Sequence, residues 1–174
     1  MNKILKLNPQ KHNPKTFSIL EGSSAAYVEK VKRYTDGKVK FTTILQTCGD
    51  VNQNRRVYPI DVMQKSVMRI MPTVKSRNLC GELDHPIPSG ENSQIRQTTV
   101  LYKEASHIIT DIQFRDSEIW GEIETLPYTE NGKILSGLVL DKVTIGFSLR
   151  GLADLEDSGT HQTVLDPLVI ICWD

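Results

Sequence analysis

Two short stretches carry the residue types that could do chemistry: GELDHP, Gly81 to Pro86, and GFSLRG, Gly146 to Gly151. The second offers a hydroxyl at Ser148, the first an imidazole at His85. A hydroxyl is a poor nucleophile at neutral pH unless a neighbouring base takes its proton. Histidine suits that task because its ordinary pKa lies near the working pH. The pair also needs an acid to hold the imidazole in one tautomer, and backbone N–H groups to stabilise an oxyanion. Gly151, directly after Arg150, would let main chain approach a substrate closely. Taken alone the pair is a weak signal. A serine between glycines also suits a packed strand, and a strand-end histidine also serves as a local cap. The nucleophile elbow of α/β-hydrolases is excluded, because it requires glycine two residues after the serine, between a strand and a helix. A metal site built on ELDH fails for want of a second histidine one helical turn on and of three or four ligands.

The elements that must position these residues are mostly strands. TFSIL and AAYVEKVKRYT read as strands or edge strands, and GKVKFTTILQTCG is β-branched between Gly37 and Gly49. DVNQNRRV is polar and turn-like. In YPIDVMQKSVMRIMP, Ile60, Met63, Val67 and Ile70 recur at helical spacing, with Pro59 at the start and Pro72 as the expected stop. LCGELD is a short strand that ends at His85, and Pro86 turns the chain away into the loop PIPSGENSQ. Glu82 and Asp84 share a strand parity, so they are expected on one side as structural acids, with Arg55 and Arg56 as partners for Glu82. Residues 98–126 read as β-structure turning at Arg115–Ser117, and TENGKILSGLVLDK as a helix capped by Thr129. VTIGFSLRG is expected as a strand, LADLEDSGTHQT as a hairpin and VLDPLVIICWD as a last strand. The whole is a β-rich α+β fold, with a barrel and peripheral helices as the expected architecture.

Bulk properties narrow the partners. The 174 residues suit one domain over 17–174, preceded by a flexible basic arm over 1–16 whose first fifteen residues hold four lysines and no acid. The 21 basic and 21 acidic residues balance, which argues against a dedicated nucleic-acid partner. The few scattered aromatics build no base-stacking platform. No apolar run approaches the ~20 residues of a membrane span, and no signal-type apolar stretch opens the chain. Cys48, Cys80 and Cys172 are too few and too far apart for a zinc site or a disulfide framework, and read as reduced, mostly buried thiols. No cofactor is implied.

Three stretches taken together carry more than any one of them. VNQNRRVYP (Val51–Pro59), GELDHP and GFSLRG, in this order, resemble the prohead core protein protease family of T-even-type tailed phages. The resemblance runs from about Ile44 to the C-terminus. It implies a serine endopeptidase of capsid maturation with a fold like herpesvirus assemblin, a β-barrel ringed by helices. It also implies scaffold and core proteins and the major capsid protein as substrates, inside an assembling prohead in the host cytoplasm. It leaves homo-oligomerisation open. By the same resemblance Ser148 is the nucleophile, His85 the general base, and Arg150 with Gly151 the oxyanion region, through backbone N–H or an Arg-held water. The family's acid lies at the end of the strand after the post-serine hairpin, which makes Asp174 the first candidate and His161 and His107 the reserves. The alternative is an inactive structural component of the prohead core with the same fold.

The resembling family cuts after glutamate, with Leu or Ile two residues before it and a small residue after. ILEG, Ile19 to Gly22, fits that pattern, so the Glu21–Gly22 bond is a candidate self-cleavage site. The other reading is that FSILE is an edge strand and nothing more.

Overall fold

The structure, a computed structural model, describes residues 17–20, 28–87 and 93–174. The expected basic arm and the Glu21–Gly22 bond lie outside the described residues.

The largest sheet grows from alternation. Strand β3 (Val39–Thr47) buries Val39, Phe41, Thr43 and Leu45 and turns the residues between them outward. It sits between β2 (Val28–Arg33) and β7 (Glu118–Thr125), and β7 continues to β6 (Ala105–Arg115) and β5 (Cys80–Glu82), all antiparallel. The β6–β7 turn falls where the sequence places it, at Asp116–Ser117, with Asp116 in the left-handed region at φ 54°. Helix α1 (Ile60–Lys75) lays Met63, Val67 and Ile70 into the core against this sheet, each such burial stabilising by about 1.5–3 kcal/mol. Ile60, the fourth member of the expected stripe, stays exposed. Pro72 does not stop the helix, which runs on to Lys75. Proline costs the helix its own N–H bond and crowds the preceding turn, but buried Val74 and the Ser76 N–H bonded to the Pro72 carbonyl hold the last turn. Helix α3 (Glu130–Leu140) starts as expected, with Thr129 Oγ1 accepting from the Gly132 N–H at 2.9 Å.

Two smaller sheets complete the architecture. Strand β8 (Leu149–Ala153) lies between β1 (Phe17–Leu20) and β11 (Val169–Trp173). The expected hairpin forms from β9 (Leu155–Asp157) and β10 (Gln162–Val164), and β10 pairs in parallel with β4 (Arg56–Val57). The polar stretch before β4 is turned by Asn52, whose Oδ1 accepts from the N–H groups of Asn54 and Arg56. Helix α2 (Ser93–Gln97) begins inside the stretch read as loop. The expectation of a β-rich α+β fold holds. The described strands pair into three sheets, and no closed barrel is seen among them. The strand expected over VTIGFSLRG starts only at Leu149, because Val143–Phe147 pass between α3 and β8 without ladder partners of their own among the described residues.

Candidate active site

Ser148, His85 and Asp174 come from three different chain positions and meet where β5 and β11 approach. Ser148 immediately precedes β8, and Asp174 immediately follows β11. The two are fastened by a reciprocal main-chain pair, Ser148 N–H to Asp174 O and Asp174 N–H to Ser148 O, both 3.0 Å. Asp174 is thus held in the sheet rather than frayed, and its side chain is 1 % exposed. His85 stands three residues past β5, and its neighbour Pro86 is buried. The Glu82 N–H donates to Asp174 Oδ1 at 2.9 Å, which ties β5 directly to the end of β11.

His85 bridges the other two. Its Nδ1 lies 2.9 Å from Asp174 Oδ2, and its Nε2 is hydrogen-bonded to Ser148 Oγ. An ionised carboxylate only accepts, so Nδ1 carries the proton. Nε2 of the neutral ring is then the acceptor that faces the serine O–H. Such an arrangement would let an imidazole take the proton of a hydroxyl.

Asp174 receives an unusual number of donors. Arg150 Nη2 donates to Oδ1 at 3.0 Å, Arg150 Nε lies 3.0 Å from Oδ2, and the Cys172 thiol donates to Oδ1 at 3.1 Å. Burial by itself pushes the Asp174 carboxyl up. The His85, Arg150, Glu82 N–H and Cys172 donors outweigh it and hold the pKa below its ordinary value. Burial, and then the Asp174 charge, push the Cys172 thiol well up, so it stays a donor. The cysteines are free, as expected, with Cys48 and Cys172 buried and Cys80 half-buried.

Arg150 differs from the expectation of an Arg-held water facing the oxyanion. Its side chain is fully buried and aimed into this network. Besides Asp174 it reaches the Thr99 carbonyl at 3.2 Å and lies 3.7 Å from Glu82 Oε1. Two buried acids draw the guanidinium inward. Gly151 sits within β8, laddered to Ile19 on one side and Ile170 on the other, one pair further from Ser148 than Leu149. A Cβ there would come within 2.8 Å of the Val169 carbonyl, so glycine is required by the β11 packing.

Glu82 and Asp84 do not project together. The strand ends at Glu82, after which the chain bends, leaving Glu82 2 % exposed and Asp84 on the surface. Glu82 is partnered by Arg96 of α2, at 3.1 and 2.6 Å, and by the Leu101 N–H at 2.6 Å, not by Arg55 or Arg56. Arg55 instead donates to the Thr160 carbonyl in the β9–β10 hairpin. Arg96 was missed by the sequence reading. The signal available was an arginine in an acid-free stretch, SQIRQTT, following a strand whose buried glutamate needed a cation.

The two reserve histidines lie elsewhere. His161 bonds to Ser158 and Thr160 in the exposed hairpin. His107 is buried behind the site, its Nε2 donating to the Trp173 carbonyl at 3.1 Å and its Nδ1 accepting from Ser106 Oγ at 2.8 Å. Burial lowers its pKa to about 4, so it is neutral at physiological pH. Gly81 makes room for this packing: a Cβ would stand 2.1 Å from the Trp173 carbonyl oxygen and 2.4 Å from His107 Cε1.

A cleft of about 350 Å³ opens against Asp174, lined by Leu83, Asp84, Leu135, Leu138, Ile145 and Phe147 among others. The family model for prohead core protein serine proteases matches residues 20–168, a span that includes His85 and Ser148. The chain belongs to that family. The protease also has the fold of a solved relative. It aligns with the structure of the bacteriophage T4 capsid assembly protease, gp21, at a TM-score of 0.75 and 18 % identity, covering 91 % of this chain and 95 % of that one. No curated protein matches the sequence. Among the described residues no helix of the protease is long and apolar enough to cross a membrane.

Proposed function

We propose that this prohead serine protease uses Ser148 as nucleophile, His85 as general base and Asp174 as the acid that orients it. The observation that carries the proposal is the His85 ring, bonded through Nδ1 to Asp174 and through Nε2 to Ser148. Ser148 Oγ attacks the scissile carbonyl while His85 Nε2 takes its proton. Asp174 keeps Nδ1 protonated and stabilises the imidazolium that forms. His85 then returns the proton to the leaving amine, and water repeats the sequence on the acyl-enzyme. The Ser148 N–H is committed to Asp174, so the oxyanion is met by other main-chain N–H groups on β8, with Leu149 nearest. Arg150 acts on the acid rather than on the oxyanion.

The substrates are the scaffold and core proteins and the major capsid protein, cut inside the assembling prohead. The chain also cuts itself between Glu21 and Gly22. The β1 register supports this: Leu20 pairs with Arg150, two positions past Ser148. The assembled set of three side chains argues against an inactive core component.

A fluorophosphonate label tests the reading. It should attach to Ser148 in the wild type and be absent in Ser148→Ala. Ser148→Ala and His85→Ala should each lose peptide-bond cleavage by on the order of 10⁶ in kcat, because residues that act as one unit fail together. Undiminished cleavage by Ser148→Ala would end the proposal.

A further inference from the structure

Strand β8 has two neighbours of different standing. On one side is β11, which carries Asp174. On the other is β1, four residues long, which pairs among the described residues with β8 alone. The ladder of β8 fixes where its backbone points. Ser148 exchanges both hydrogen bonds with Asp174, on the β11 side. Backbone groups alternate along a strand, so Arg150 also points to β11, whereas Leu149 and Gly151 point to the β1 side. The antiparallel register places Ile19 opposite Gly151 and Leu20 opposite Arg150. The next two positions in that direction are Leu149, the first residue of β8, and then Ser148, which precedes it.

We propose that the β1 edge of β8 is the substrate-docking edge for polypeptide cut in trans, and that β1 is its built-in occupant. A substrate enters as an extended strand antiparallel to β8, in the place β1 holds. Its scissile bond lies between the residue opposite Leu149 and the residue opposite Ser148. The first residue before the bond uses its N–H on Leu149, and the third uses its N–H on Gly151. The second, opposite Arg150, turns its N–H away. Main-chain bonds of this kind read extended conformation rather than side chains, so the edge accepts diverse proteins. A four-residue edge strand is short enough to be displaced, and while paired it competes with every other substrate. The inference rests on Ser148 being the nucleophile and assigns that site its substrate geometry and an intramolecular competitor.

The test uses the full chain and a peptide of residues 15–26 of its own sequence, with N-methylation at single positions. N-methyl at the Ile19 position, which removes the bond to Gly151, should raise KM by about tenfold or more, whereas N-methyl at the Leu20 position should change it by less than about twofold. In a second arm the Ile19→Pro chain, whose β1 can no longer donate to Gly151, should show a KM for the unmodified peptide lower by about threefold or more than that of the otherwise unchanged chain while its Glu21–Gly22 bond is still intact. Equal effects of the two N-methyl groups, or no cleavage of the peptide by enzyme that takes the fluorophosphonate label, overturns the docking edge. An unchanged or raised KM in Ile19→Pro overturns β1 as its competitor. Absence of labelling in the wild-type chain instead removes the nucleophile on which the inference rests.

Discussion

Arg150 grips the Asp174 carboxylate that also meets His85: Arg150 Nη2 donates to Oδ1 at 3.0 Å, Nε lies 3.0 Å from Oδ2, the oxygen 2.9 Å from His85 Nδ1, and the Arg150 and Asp174 side chains are both buried. The planar guanidinium presents two nitrogens to the two carboxylate oxygens, Nη2 by a hydrogen bond and Nε by charge while its N–H donates to Cys172 Sγ at 3.2 Å, and so it restrains the orientation of Asp174 and with it the bond to His85. The same guanidinium lies against Glu82, which Arg96 clamps in turn. Two buried acids and two arginines therefore form one network behind the Ser148–His85 pair.

Arg150→Met should destabilise the fold by about 3–5 kcal/mol, because it leaves two buried carboxylates without their shared cation. Arg150→Lys keeps the charge but not the fork. It should recover part of that stability while kcat stays about tenfold low or worse and KM moves little, since orientation rather than binding is lost. Denaturant melts and steady-state kinetics on the two variants check this. Full kcat in Arg150→Lys would show that charge alone suffices.

Asp174→Asn should leave His85 in place but favour the wrong tautomer, at a cost of roughly 10⁴ in kcat. A fall of less than about tenfold would move the role to His161 or His107, although neither contacts the His85 ring in this structure. Single-turnover kinetics with a peptide ester separates the chemical step from folding losses.

Acid stability should carry the mark of His107. Its pKa lies near 4 in the folded chain, below the ordinary 6.5, so below pH 6.5 the unfolded chain binds a proton that the folded one refuses. Stability therefore falls as pH drops from 6.5 toward 4 and then levels off with respect to this group. At about 1.4 kcal/mol per pH unit over that interval the loss comes to roughly 3 kcal/mol. His107→Gln should flatten that slope in denaturant titrations. Asp174 acts in the same direction but lower: its carboxyl is held below the ordinary 3.8, so its contribution is present above that value and lost as pH falls through its folded pKa.

Self-processing should yield a new N-terminus at Gly22 in the wild-type chain and none in Ser148→Ala. N-terminal sequencing after incubation reads it directly. An active enzyme that leaves the Glu21–Gly22 bond whole in the presence of its scaffold would reduce ILEG to an edge strand with a sequence coincidence.

Much of the site was legible in the chain. Gly–x–Ser–x–Arg–Gly and the Glu–x–x–His–Pro stretch supply the serine and the histidine that the fold brings into hydrogen-bond contact, and the alternation of Val39, Phe41 and Leu45 with the helical stripe of Met63, Val67 and Ile70 places the core. Turn and cap residues set local limits, as at Asp116 and Thr129, because those preferences act within a few residues. Three matters were decided only by the tertiary structure. The Arg96–Glu82 pairing spans fourteen positions and Arg150–Glu82 nearly seventy, and no local rule says which of several arginines a buried glutamate will find. The inward turn of Arg150 depends on two acids delivered by different strands. The register of β1 on β8 sets Leu20 against Arg150, a choice made by long-range ladder bonds whose partners sequence cannot pair in advance. Residue types determine which chemistry is available. Which groups meet, and which way each one faces, is settled when strands from distant parts of the chain close on one another, because only then does burial force every charge to find a partner.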